Sequence, residues 1–559
     1  MDVSAATRSL KLPSLNNHLR KRDQHSLLRR PSQKRKGARQ EFCKCQATSK
    51  QDPVIVIGAG WAGLGAAWHL VKQGYKVELL EAGDGPGGLV AGWKSKAGRN
   101  VEVGIHGFWR PYHNIFRLCQ ELGLDPFTDW TPSNQYSPAG LEVEAPIFAD
   151  QPLLPAPLGQ FAYTDFKMIP LTDRLTALGL MTAAADFDNS PDAWRRYDGM
   201  SARELFRQAG VSERLYRDAF NPMLLVGLFA PGEQCSAAAC LGMLKFFILS
   251  HQADFDVVWC RGTTNNTIFQ PWLERIEAAG GAFKPKHRVA DFKLDANGHI
   301  NAVVVDTDEG QQVLPAGAVI MAVGINGLKR IVQSSSALSQ RPEFQRLSNL
   351  RSVDVLAVRL WLDRRVLFPR PSNACSNFDD GVGWTFFDLT TLHDEFRDEP
   401  GSVVEADFYH AGILLPMSDE EIVKKVMKDI ATCVPAIASA TVVDFSMVRA
   451  RNAVTHFSPG CYPSLLKNRT TFPNMFAAGD WVDDRHGSFS QEKAYVTGLR
   501  AANNVMAVMK AGGQPAHIQP LEQEEPQVLA LRQAIRLGQQ LQSALDFTPL
   551  RDILPSVVK

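Results

Sequence analysis

The residues Val54-Ile55-Val56-Ile57 are apolar and β-branched at every position, with no polar residue between them. An unbroken run of this kind predicts a central strand of a parallel sheet, covered on both faces. A glycine-rich turn, a helix and a second apolar strand, Val77 to Leu80, follow it, and the unit ends on Glu81. Further along, the pattern predicts helices over residues 115–122, 237–249, 270–279, 419–430 and 491–509. An amphipathic helix from Pro526 to Ala544 reads as a docked tail. Ser201, with Glu204 three residues later, reads as the N-cap of another helix closed by a capping box. Strand-like runs cover Phe292 to Leu294, Ile300 to Val305, Ala318 to Val323, Val353 to Leu362 and Val403 to Tyr409. Asn297-Gly298 joins the first two as a hairpin, and Ala318 to Val323 is expected to rejoin the parallel sheet. Residues 131–198 are Pro-rich and irregular at first, and no chemistry can be read from them.

The turn after the first strand carries chemistry. Gly58, Gly60 and Gly63 have the GxGxxG spacing, with Ala59, Trp61 and Ala62 between them. Gly58 permits the tight turn, Gly60 lets backbone approach a pyrophosphate, and Gly63 allows close packing of helix on strand. The pyrophosphate would lie at the helix N-terminus, where unpaired N–H groups and the macrodipole favour an anion. Glu81 closes the second strand at the spacing expected of an acid that binds the ribose hydroxyls of an adenosine. Ala82 and Gly83 follow it with no nearby Arg for a 2′-phosphate, so NADP is disfavoured and FAD and NAD remain.

At 559 residues and 45% hydrophobic content the chain can bury a large core in two or more domains. Its net charge of +1 conceals an asymmetry, because the first 50 residues hold thirteen Lys and Arg against three acids. The rest is mildly acidic, which argues against a nucleic-acid partner. Residues 1–50, rich in Arg, Lys, Ser and Leu and without a secretory core, read as a disordered organellar transit peptide cut near Cys45 to Ala47. Composition does not separate chloroplast from mitochondrion. The nine cysteines form no CxxC pair, so neither a disulfide framework nor a metal site is expected. No window reaches the length of a membrane span, and a peripheral membrane contact stays open. The chain has no GxSxG, HExxH or Walker sequence, and no carboxylate pair whose spacing implies acid–base work.

After Glu81 come Gly87-Gly88, then Gly104-Ile105-His106-Gly107-Phe108-Trp109, Tyr112 and Asn114. This series resembles the flavin amine oxidase superfamily and, within it, the carotenoid desaturases. The resemblance implies an α/β fold with a Rossmann-type FAD-binding domain of the glutathione-reductase-like kind and an α+β substrate domain. The FAD-binding domain would be discontinuous, over residues 51–130, 255–345 and 465–513. The substrate domain would take 131–254 and 346–464, and 514–559 would be a helical tail. FAD contacts would come from Gly58 to Gly63, Glu81, Ala82, Gly87, Gly88, Leu89, the backbone of Val289, Gly479 and Asp480. His106 is the one weak catalytic candidate, and it also reads as a structural histidine satisfied by backbone. The helix Ala237 to Leu249 would line a hydrophobic channel.

Three positions depart from the family pattern. Leu89 stands where Arg or Lys is usual, Lys493 stands where Gly lets the flavin approach in a Met-Glu-Gly-Ala-like run, and Arg110 replaces a small residue. The implied reaction is desaturation, or flavin-assisted cis–trans isomerisation, of a long apolar polyene in a chloroplast, with a quinone or oxygen as acceptor. An amine oxidase is the alternative enzyme, with Trp481 as one candidate for its flavin-facing aromatic pair. A third reading is a non-catalytic prenyl-lipid-binding protein on the same fold.

Overall fold

Val54–Ile57 (β1) is the middle strand of a five-stranded, fully parallel sheet in the computed structural model, which describes residues 52–545. The expected transit peptide, with Cys43 and Cys45, and the tail beyond residue 545 lie outside the described residues. Val77–Leu80 (β2) pairs with one edge of β1, Val54 opposite Val77, and Ala282–Lys284 (β3) lies beyond it. Ala318–Met321 (β4) pairs with the other edge, Val54 opposite Ala318, and Met475–Ala477 (β5) closes the order β3-β2-β1-β4-β5. Both β1 and β4 are buried at every position, as doubly covered parallel strands require. The chain runs to opposite sides of β1, so a crevice opens beyond the carboxyl ends of β1 and β4, where such sheets bind ligands.

Trp61–Lys72 (α1) follows the glycine turn, His113–Leu122 (α2) comes next, and Gln491–Met509 (α3) packs across α1. The α1–α3 crossing is closer than ordinary side chains allow. A Cβ at Gly498 would lie 2.1 Å from the Ala62 carbonyl oxygen, and one at Gly65 would lie 2.7 Å from the Tyr495 ring.

An eight-stranded sheet forms the second layer. Its order is 442–456, 351–362, 403–409, 382–388, 372–379, 133–137, 140–145 and 165–166, antiparallel except where 372–379 meets 133–137. Leu356, Val358 and Leu360 with Val404, Ala406 and Phe408 face the helix Asp419–Cys433, whose Ile422, Val426 and Ile430 complete a core. The strands at 133–145 correct the expectation of irregular chain there. Two helix expectations change as well. Ser201 accepts from the Glu204 amide, but the Glu204 carboxylate turns to Arg207 and Gln208, so the capping box is half made. The run 237–249 is α-helical only to Leu244 and widens into a π-helical turn over Lys245–Leu249. The seven described cysteines are buried and free, and no described helix is long and apolar enough to cross a membrane.

The opposite face of the eight-stranded sheet carries Arg359, Glu405 and Asp407, and Glu102 reaches the same point from the strand Asn100–Glu102. All four are buried. Arg359 is ion-paired with Glu405 and lies 3.6 Å from Glu102, which also accepts the Thr264 amide at 2.9 Å. Spacing along the chain gave no sign of this cluster, because pairing between distant strands assembles it. Three carboxyls facing one guanidinium hold protons tightly, and burial pushes Glu102 up to about 8. A carboxyl raised on folding contributes stability that is complete below its unfolded value and is lost as pH rises through its folded one. Glu102→Gln should therefore leave stability unchanged near pH 4.5 and exceed wild type at pH 9, measured as urea midpoints across that range.

Candidate functional site

The site begins at the end of β1. Gly58 adopts a φ of +100°, and a Cβ there would lie 2.5 Å from the Ala322 carbonyl oxygen, so both the turn and its contact with β4 require glycine. Gly63 touches the Gly58 carbonyl so closely that a Cβ would overlap it at 1.8 Å. The first turn of α1 therefore sits directly over the strand. It opens at Gly60 with no capping side chain and no acid in the first turn. The side chain of Trp61 points into the core, donating from Nε1 to Gln491 Oε1 at 2.9 Å, so only the backbone of Trp61 remains for a ligand.

Gly87 and Gly88 close over this turn. The Gly87 amide donates to the Ala59 carbonyl at 2.8 Å, and a Cβ on Gly60 would point at the Gly88 Cα from 3.8 Å. Gly60 and Gly88 thus face each other across a cradle that a side chain at either position would enter, while Gly87 is glycine because a Cβ there would lie 2.5 Å from the Ala91 Cα. Glu81 faces it from β2, with one carboxylate oxygen on the Ala59 amide at 3.0 Å and the other on the Gly83 amide at 2.8 Å. The strand carrying Val289 approaches the same edge, since the amides of Lys286 and His287 bond the carbonyls of Gly83 and Glu81, both at 2.9 Å. A cradle without Cβ atoms, an uncapped helix start and an adjacent carboxylate suit the adenosine diphosphate half of a dinucleotide. Leu89 is half exposed beside this cradle.

The far end of the site is built by β5 and α3. Gly479 follows β5 at a φ of +145°, and its amide donates to Thr497 Oγ1 at 2.8 Å. Burial pushes Asp480 up to about 6, with Lys493 drawing it back. Burial lowers Lys493 in turn, opposed by Asp484 and Asp480. Trp481 donates to the Val323 carbonyl at 3.1 Å and is buried, so it presents no free aromatic face. His106 bonds the Gly104 carbonyl through Nδ1 at 3.0 Å, and burial holds its imidazole down to about 4. It is a neutral ring fixed by backbone, which matches its structural reading. Arg110 stacks on Trp130 at 4.2 Å and pairs with Asp256 at 3.3 Å, so it anchors a loop.

Two residues of α3 that the sequence reading did not single out organise this end. Glu492 is wholly buried and accepts from the Asn114 amide, the Asn114 side chain and the Ile115 amide at 2.7–3.0 Å, capping α2. Gln491 joins Trp61 to the Gly107 carbonyl. The available signal was the run Gln491-Glu492-Lys493-Ala494, in which Glu492 matches the Glu of the Met-Glu-Gly-Ala-like pattern. In the run 237–249, Gly242, Lys245 and Phe246 line a cavity of about 250 Å³ whose other walls include His251, Arg485 and Glu524, so that wall is charged as well as apolar.

The profile of the family described as flavin containing amine oxidoreductase matches residues 61–506. The chain is 26% identical over 469 residues to the 15-cis-phytoene desaturase of Narcissus pseudonarcissus, covering 81% of this chain and 79% of that one. It is equally similar to the 15-cis-phytoene desaturase of Synechococcus elongatus, covering 96% of that protein. A solved putrescine oxidase shares the fold with a TM-score of 0.61 at 18% identity, over 82% of this chain and 99% of the other.

Gly60→Val tests the cradle. The side chain has room at the helix start, so the stability cost should stay near 1 kcal/mol, while flavin retained per chain should fall at least tenfold by absorbance. Undiminished flavin content would show that the cradle is not the diphosphate site.

Proposed function

Because the chain belongs to the flavin containing amine oxidoreductase family, we propose that it is a plastid FAD-dependent oxidoreductase that desaturates, or isomerises with flavin assistance, a long apolar polyene. The observation that carries the substrate class is the chain-long likeness to phytoene desaturases. The preference for FAD rests on Glu81 and the Gly60–Gly88 cradle, which suit an adenosine that a mononucleotide lacks. When bound, the flavin would supply a hydride acceptor, so the protein need only hold a C–H bond against it and exclude water. The amides opening α1 would hold the diphosphate, Glu81 the ribose, and the Gly479-Asp480 segment the far end of the cofactor. His106 keeps the Gly104 turn rigid and carries no charge at neutral pH. A quinone is the acceptor that suits a lipid-borne substrate.

Such a substrate is dissolved in lipid, and one surface suits its collection. Leu171, Leu175 and Leu178 follow helical spacing, yet they are 54%, 46% and 63% exposed, and no residue over 171–179 is buried. Arg174 lies over the Phe166 ring at 5.2 Å, and Leu158 and Met168, close by in the chain, are exposed as well. An apolar stripe facing outward suits a peripheral contact with a membrane.

One experiment covers both parts. With desaturation the flavin of the oxygen-free protein should bleach on addition of vesicles carrying a carotenoid and not on addition of amines; with isomerisation, which is redox-neutral, oxidised flavin stays unbleached and the carotenoid changes only once the flavin has been reduced. Leu171→Glu/Leu175→Glu should bind those vesicles several-fold more weakly with the flavin spectrum unchanged. Bleaching by amines alone would establish the amine oxidase reading. Absence of flavin would favour the non-catalytic reading.

A further inference from the structure

Three Lys or Arg residues are almost fully buried among the described residues: Arg359, Arg532 and Lys493. Arg359 is paired with Glu405, and Arg532 with Glu524. Lys493 is 4% exposed, and its ammonium makes no hydrogen bond or ion pair to any described residue. Of the two acids nearest in effect, Asp484 is already bound to Arg500 at 3.0 Å, and Asp480 belongs to the segment that closes the site. Enclosing most of a Lys side chain while its ammonium has no hydrogen-bonded partner is unfavourable. Helix stability gives no reason for it either. Lys493 is the third residue of α3, in the first turn, where a cation opposes the helix macrodipole. Glu492, the preceding residue, fixes the backbone from which Lys493 projects through its hold on α2.

These features describe a cation that Asp480, Asp483 and Asp484 attract from nearby but that no carboxylate of the described residues holds in a hydrogen bond or ion pair. The other end of the site gives the complementary fact, because Leu89 leaves the Gly87-Gly88 loop without a charge of its own. Resting on the FAD reading above, we infer that Lys493 is the counter-cation for negative charge on the bound flavin nucleotide, on its diphosphate or on its reduced ring. It is a positioning and tuning residue, with no part in bond breaking.

Lys493→Met, Lys493→Arg and Lys493→Gly separate the outcomes. Each is stripped of flavin and titrated with FAD by fluorescence quenching, and the midpoint potential of each loaded protein is measured with redox dyes. If the diphosphate is the anion, Lys493→Met weakens binding of oxidised FAD at least tenfold. If the reduced ring is the anion, oxidised FAD binds as in wild type and the midpoint falls by a tenfold change in the reduction equilibrium, about 30 mV for two electrons. In both cases Lys493→Arg stays within threefold of wild type. Wild-type values in Lys493→Met on both measurements, or tighter FAD binding by Lys493→Gly, would overturn the inference and leave the FAD reading standing. A wild-type protein that takes up no FAD would overturn both.

Discussion

Glu492 is a carboxylate with no exposure to solvent, and its whole hydrogen-bonding capacity is spent inside the protein. It takes two amides at the start of α2 and the Asn114 side chain, whose carbonyl oxygen in turn holds the Gln519 amide of the C-terminal segment. Each buried donor left without it would cost about 1–3 kcal/mol. The start of α3 is therefore fixed to α2 on one side and, through Gln491, to Trp61 and Gly107 on the other. The end of the crevice built by β5 and α3 inherits its geometry from this one point.

The near end depends on backbone proximity. Gly63 seats α1 on the turn, and Gly498 lets α3 lie against the Ala62 carbonyl. Side chains would hold these segments farther apart, and the crevice between β1 and β4 would lose its shape. The two ends differ in kind. Glycines and one carboxylate, Glu81, make the near end, whereas buried charges dominate the other, where Asp480 and Lys493 lie close enough to shift each other.

Much of this was legible in the chain. The β1, β2 and α3 boundaries match the residue pattern, because an unbroken β-branched run, a glycine turn and an apolar helix are local signals. The strand Val403–Tyr409 was legible for the same reason. The eight-stranded sheet was less so, since Ser133–Ser137 is polar in composition and becomes a strand only by pairing with Ser372–Asp379 far along the chain. The cluster of Glu102, Arg359, Glu405 and Asp407 was hidden for that reason too. At Lys493 and Leu89 the sequence showed departures from a pattern. Their physical meaning came only from the burial of one and the exposure of the other.

The central claim is that the β1–α1 turn and Glu81 hold the adenosine half of a flavin nucleotide. The most direct measurement is the identity and amount of cofactor released by denaturing the natively purified full-length protein, resolved chromatographically against FAD, FMN and NAD. The account predicts FAD, close to one per chain. Release of FMN, of NAD, or of no nucleotide would contradict it.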